Sequence, residues 1–79
     1  MAVPLELAAV AEQMEYGTVV RWHKRPGDRI AKGEVILEIE AEKANFEIES
    51  PVDGVLAEIV AEEGDELPVG ALLATLEES

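Results

Sequence analysis

The six glycines of the chain form three pairs, each separated by 37 positions: Gly17 with Gly54, Gly27 with Gly64, and Gly33 with Gly70. Asp28 and Asp65 keep the same offset, so one skeleton reads twice: glycine, nine residues, Gly-Asp, four residues, glycine. Glycine accepts backbone conformations and close approaches that other residues resist, so repeating its placement repeats the path of the chain. Apolar residues follow the same offset: Val19 and Leu56, Val20 and Ala57, Trp22 and Ile59, Ile30 and Leu67, Val35 and Leu72, Ile36 and Leu73, Ile39 and Leu76. Two similar supersecondary units related by a pseudo-twofold axis are expected, over about residues 3–40 and 44–77. Neither unit buries its apolar face without the other.

The local pattern is that of strands. Residues 17–22, 35–40, 44–50, 54–60 and 72–77 are short, rich in Val, Ile and Leu, and bounded by turn residues. Residues 3–7 read as a further strand, paired late or at an edge. Pro26-Gly27-Asp28, Pro51-Val52-Asp53-Gly54 and Glu63-Gly64-Asp65 mark turns. From Ala44 onward the side chains alternate, with Ala44, Phe46 and Ile48 on a buried face and Asn45, Glu47 and Glu49 on a wet one. The alanines of residues 7–15 give the one helical signal, a turn or more. Trp22 is expected on the inward face, where truncation of a fully packed ring costs roughly 3–5 kcal/mol.

Seventy-nine residues make one domain, 1–79, with no room for a deep catalytic cleft beside its core. An apolar fraction of 48% supports a small packed core and argues against disorder. The net charge of −12 is uneven, because residues 41–79 carry one basic and eleven acidic groups. Such a field repels phosphate, which argues against nucleic acid and anionic membrane surfaces; the charge fits a protein partner with a basic docking face and equally fits solubility alone. Without cysteine there is no disulfide, no thiolate nucleophile and no thiolate metal site, so any redox chemistry arrives with an attached group. No apolar run is long enough to span a bilayer, and residues 1–10 lack the pattern of a signal peptide. A soluble, intracellular chain is the expectation.

Lys43 is the only Lys or Arg after Lys32, and it lies between the two copies in Glu40-Ala41-Glu42-Lys43-Ala44. Ala41-Glu42-Lys43 makes a tight connection between two strands, which puts Lys43 at or beside a hairpin tip. A lysine that acts as a nucleophile in its own right sits in an apolar or cationic setting, whereas Glu40, Glu42 and Glu47 surround this one with negative charge. An exposed lysine on a rigid hairpin is instead what an external ligase reaches and acylates. His23 has no serine or cysteine partner pattern. Glu62-Glu63 and Glu77-Glu78 read as solvating groups at turns and termini. The glycines lack the Gly-Lys-Ser/Thr ending of a phosphate loop, and the acidic spacing is unlike a calcium loop, so no metal site is expected.

Gly17-Thr18-Val19-Val20-Arg21-Trp22, Pro26-Gly27-Asp28, Lys32-Gly33, Glu38-Ile39-Glu40-Ala41-Glu42-Lys43-Ala44 and Glu49-Ser50-Pro51-Val52-Asp53-Gly54-Val55-Leu56 together resemble the lipoyl domains of 2-oxo acid dehydrogenase acyltransferases. The likeness covers nearly the whole chain. It implies an all-β fold, a flattened barrel-sandwich hybrid of two four-stranded antiparallel sheets with internal pseudo-twofold symmetry. It also implies that Lys43 carries lipoate in amide linkage, placed there by a lipoate ligase or a lipoyl/octanoyl transferase. Such a carrier serves a thiamine-diphosphate-dependent decarboxylase, an acyltransferase domain that passes the acyl group to coenzyme A, and a dihydrolipoyl dehydrogenase. It catalyses none of their steps and presents the group as a swinging arm, in bacterial cytoplasm or an organelle matrix. A pyruvate-type, other 2-oxo acid or acetoin complex fits this pattern. Glu40, Glu42, Ala44 and Gly54 match positions tied to recognition by the modifying enzyme and partners.

The chain departs from the family pattern at Glu42, where Asp is commoner, at Ala41, which replaces a frequent Thr, and at Asn45. The early loop reads Ala8-Ala9-Val10-Ala11 in place of Pro-x-Leu-Gly, while Met14 fits the subgroup with methionine before Glu-x-Gly. A biotinyl carrier domain shares the fold, but its lysine is flanked by methionines, and Glu42-Lys43-Ala44 has neither. The glycine-cleavage hydrogen carrier is longer. An unmodified interaction module that keeps the fold without the cofactor is the alternative from another class.

Overall fold

The structure is a computed structural model that describes residues 1–9 and 14–79. The described residues form eight strands and no helix: β1 (Ala2–Glu6), β2 (Tyr16–Trp22), β3 (Arg29–Ile30), β4 (Val35–Ala41), β5 (Ala44–Glu49), β6 (Gly54–Ile59), β7 (Glu66–Pro68) and β8 (Leu72–Glu78). They pair into two four-stranded antiparallel sheets, ordered β1-β8-β6-β3 and β5-β4-β2-β7. The repeat offset carries β2, β3 and β4 onto β6, β7 and β8, and the two sheet orders then coincide with β1 standing for β5. The registers agree as well: Phe46 faces Ile39 as Val3 faces Leu76, and Glu47 faces Glu38 as Pro4 faces Thr75. The N-terminal strand therefore completes the second unit, and it lies at a sheet edge as expected.

The repeated Gly-Asp pairs tie the units together. Gly27 N–H donates to the Leu56 carbonyl at 2.7 Å and Leu56 N–H to the Asp28 carbonyl at 2.9 Å. The equivalent bonds run from Gly64 to Val19 at 2.8 Å and from Val19 to Asp65 at 2.9 Å. Each turn thus hydrogen-bonds the leading strand of the opposite unit, which is why glycine and aspartate recur together. Asp28 and Asp65 also close their own turns, accepting from Arg25 N–H at 2.9 Å and Glu62 N–H at 3.0 Å. Gly27 and Gly64 hold φ of 97° and 93°, a region costly for a residue with a Cβ.

Val19, Leu56, Ile36, Leu73, Ile39 and Leu76 are each at most 1% exposed and form the centre of one apolar cluster. Val20 and Ala57, expected to share that core, are exposed. Register shifts between Val19 and Arg21 and between Leu56 and Glu58 explain this, since a bulge sets one residue of each strand outside the ladder. Leu72 is 39% exposed at the start of β8. Phe46 and Ile48 pack against the core while Asn45, Glu47 and Glu49 face solvent, but Ala44, at the hairpin end, is exposed. Residues 7–9 and 14–15 are irregular, without the helical turn expected there, and the remainder of that segment, including Val10 and Ala11, lies outside the described residues. No helix among the described residues is long and apolar enough to cross a membrane.

Trp22 corrects another expectation. Its ring is half-buried, packed against the cluster from the side, with the indole N–H donating to the Ala61 carbonyl at 2.8 Å. Trp22→Ala is accordingly expected to cost about 2 kcal/mol by urea unfolding, below the range for a fully packed ring, and Trp22→Phe about 1 kcal/mol. A loss above about 4 kcal/mol for the alanine variant contradicts this placement.

Candidate functional site

Ala41 pairs with Ala44, so only Glu42 and Lys43 connect β4 to β5. Both have positive φ, 51° and 65°, the signature of a type I′ turn. That turn matches the twist of the strands it joins, but it is usually filled by Asn or Gly. Each residue with a Cβ held there costs about 1–2 kcal/mol. The seven-residue β4 and six-residue β5 sustain the strain, because Ile39 is fully buried opposite the half-buried Phe46. Glu42→Asn is expected to raise stability by about 0.5–1 kcal/mol, since Asn tolerates the left-handed region better; an unchanged or lower urea midpoint contradicts a strained turn.

Lys43 is exposed and makes no hydrogen bond or ion pair among the described residues. Beside it lies a shallow depression of ≈ 300 Å³ lined by Tyr16, Gly17, Thr18, Glu40, Ala41, Glu42, Lys43 and Glu66. Thr18 of β2 is its floor strand, with Glu40 of β4 opposite on one side and Glu66 of β7 opposite on the other. Of the residues named from the sequence, Glu40 and Glu42 line the depression with Lys43, and Ala44 is exposed at the foot of β5. Gly54 stands elsewhere: it begins β6, facing Glu78 and Ile30, and a Cβ there would overlap the Glu77 carbonyl oxygen. Its repeat mate Gly17 is the glycine beside Lys43. Tyr16, Thr18 and Glu66 were not singled out from the sequence. The alignment of Ile30 with Leu67 was the one signal for β7, but nothing in it says that β7 pairs with β2.

Several other polar groups have structural partners. His23 Nε2 lies 2.7 Å from Glu38 Oε2. The Lys24 ammonium hydrogen-bonds Glu34 at 2.8 Å, which holds the Glu34 carboxyl below its ordinary range, with help from Ala31 N–H, and raises the lysine. Glu63 accepts from Trp22 N–H at 3.0 Å, and Glu77 binds the N-terminal amine at 2.6 Å. Among the described residues no three His, Asp or Glu side chains converge as a metal site. The arrangement offers an exposed amine on a braced hairpin, without an ion pair among the described residues.

These features define a class: a two-unit β sandwich with an exposed lysine in the tight turn between β4 and β5. Residues 3–76 match the biotin/lipoyl family model described as biotin-requiring enzyme. The chain is 41% identical over 78 residues to the dihydrolipoyllysine-residue succinyltransferase component of the 2-oxoglutarate dehydrogenase complex of Azotobacter vinelandii, covering 99% of this chain and 20% of that protein. It is 42% identical over 71 residues to the mitochondrial dihydrolipoyllysine-residue acetyltransferase component of the pyruvate dehydrogenase complex of Caenorhabditis elegans, covering 89% of this chain and 14% of that one. The solution structure of the lipoyl domain of the A. vinelandii 2-oxoglutarate dehydrogenase complex superposes with a TM-score of 0.80 at 39% identity, over 96% of both chains. A single-chain long-chain acyl-CoA carboxylase shares the fold at a TM-score of 0.84 and 18% identity, over 99% of this chain and 7% of that one. The chain belongs to the biotin/lipoyl attachment family, and within it to the lipoyl domains akin to those of 2-oxo acid dehydrogenase acyltransferases.

Proposed function

We propose that Lys43 is acylated by lipoate and that the domain is the mobile carrier of a 2-oxo acid dehydrogenase complex. The observation that carries this reading is the strained two-residue turn holding an exposed, unpartnered Lys43, in a chain whose relatives are lipoyl domains. The residues fit the group, because a solvent-facing lysine without a competing ion pair among the described residues is open to amide formation. Bound lipoate supplies the dithiolane on which acyl and electron transfer depend. The chain's own part is to hold Nζ clear of the barrel and keep the two-residue turn in one shape. Tethering it to partner enzymes then raises its effective concentration at their active sites.

Glu40, Glu42 and Ala44 form the surface that the modifying enzyme meets around Lys43, and Gly54 acts through the fold. The partners are a lipoate ligase or lipoyl/octanoyl transferase, a thiamine-diphosphate-dependent decarboxylase, an acyltransferase domain and a dihydrolipoyl dehydrogenase. Relatives from bacteria and from a mitochondrial complex favour a cytoplasmic or matrix location. The test is intact mass after incubation with lipoate ligase, lipoate and ATP, beside a biotin ligase reaction. One lipoyl addition supports the carrier; biotin addition alone, or no addition to folded protein, refutes it.

A further inference from the structure

We propose that the outer edge of β5 docks an extended, cation-bearing strand of the enzyme that acylates Lys43, added to the sheet β5-β4-β2-β7; this rests on the reading of Lys43 as the attachment point. Four strands lie at sheet edges: β1, β3, β5 and β7. An edge invites pairing with another chain unless it is short or interrupted by proline, which has no N–H to donate. β3 has two residues, β7 has three and ends in Pro68, and β1 carries Pro4 at its middle. β5 runs for six residues without a proline. The contrast with β1 is direct, because Pro4 opposite Thr75 and Glu47 opposite Glu38 are equivalent positions of the two units. The edge is closed by proline in one unit and open in the unit that bears Lys43.

The ladder shows which groups are available. Ala41 and Ala44 close a two-residue hairpin and so exchange hydrogen bonds with each other. Alternation along an antiparallel pair then turns the N–H and C=O groups of Asn45 and Glu47 away from β4. Among the described residues no backbone group outside the β4–β5 pair bonds to either. Asn45 and Glu47 lie two and four residues from Lys43, about 7 and 13 Å along the strand, so a segment paired there ends within reach of the amine.

Charge selects the occupant. Asn45, Glu47 and Glu49 are exposed on the outer face, with Glu38 directly opposite Glu47 and Glu40 opposite Asn45. Like charges facing each other across a pair are unfavourable, and of the two carboxylates only Glu38 has a partner, His23. An added strand with Lys or Arg at alternate positions sets its cations beside Glu47 and Glu49, and its backbone completes the free edge.

The experiment measures initial rates of lipoyl transfer by intact mass, with lipoate ligase, lipoate and ATP, for the unsubstituted domain, Glu47→Pro and Glu47→Gln. Glu47→Pro spares the β4–β5 hydrogen bonds, and the fold already holds proline at the equivalent place in β1. The expected result is a folded Glu47→Pro with kcat/KM lowered about tenfold, and Glu47→Gln with a severalfold higher KM and a weaker salt dependence. A second measurement is amide exchange of the non-acylatable Lys43→Arg domain mixed with ligase, lipoate and ATP; Asn45 and Glu47 amides are expected to gain protection. Should Glu47→Pro be folded and modified at the unsubstituted rate, the proposal is wrong. Should it not fold, the exchange result decides, and unprotected amides overturn the docking edge. Failure of the unsubstituted domain to be lipoylated at all overturns instead the reading of Lys43 on which the proposal rests.

Discussion

Gly54→Ala is expected to destabilise the domain by about 3 kcal/mol or more, whereas the same change at its repeat mate, Gly17→Ala, is expected to cost about 1–2 kcal/mol. The two glycines are equivalent in sequence but meet different neighbours. A Cβ at Gly54 overlaps the backbone carbonyl of Glu77 in β8, and a backbone moves only if the pairing of β6 with β8 opens. At Gly17 the nearest atoms are side-chain carbons: Met14 Cε at 3.1 Å and Leu7 Cδ2 at 3.3 Å end flexible side chains that can give way, whereas Ile39 Cγ2 at 2.8 Å belongs to a stiff, fully buried side chain that must shift by a few tenths of an ångström. For a chain of this length, with a stability on the order of 4–12 kcal/mol, the first loss is a large share of the total. Urea unfolding of both variants checks the ranking, and equal midpoints refute it. The same pair of proteins separates two roles for Gly54. If lipoylation of Gly54→Ala falls only in proportion to its folded fraction, Gly54 serves the fold; a fully folded variant that resists modification makes it a recognition residue.

The repeat was legible because its two kinds of marker have different physical causes and still agree. Gly27 and Gly64 recur for their left-handed backbone, and Val19 and Leu56 for the shared interior. The six longer strands announced themselves through runs of Val, Ile and Leu, and their ends fall within one residue of expectation. β3 and β7 did not, since two or three residues flanked by turns carry no periodicity, and their partners lie in the opposite unit. Val20 and Ala57 satisfied the offset yet point outward, because a bulge is a property of the ladder and leaves no mark on composition. At the candidate site, the placement of Lys43 in the hairpin turn, with Glu40 close by, was readable from local sequence. Glu66 was not, because it reaches the depression only through the cross-unit pairing of β7 with β2. The left-handed turn at Glu42 and Lys43 was hidden for a related reason: neither residue type signals it, and the strain is held by the packing of β4 and β5.

Lys43→Arg is expected to abolish attachment completely while leaving the urea midpoint within about 0.5 kcal/mol of the unsubstituted domain. The side chain is exposed and has no partner among the described residues, so its loss removes no packing and no ion pair. Arginine keeps the charge and the turn geometry but offers a guanidinium, which stays protonated and does not form the amide under conditions where an amine does. Intact mass after ligase treatment reads the first effect and denaturant unfolding the second. Loss of attachment together with loss of stability would make Lys43 a structural residue of the turn. Attachment that survives would move the acceptor to Lys24 or Lys32, whose settings differ sharply: Lys24 is paired with Glu34, and Lys32 precedes the left-handed Gly33 outside any two-residue hairpin. The prediction therefore tests the turn as well as the residue, because what distinguishes Lys43 from the other two lysines is the strained, braced hairpin that presents it.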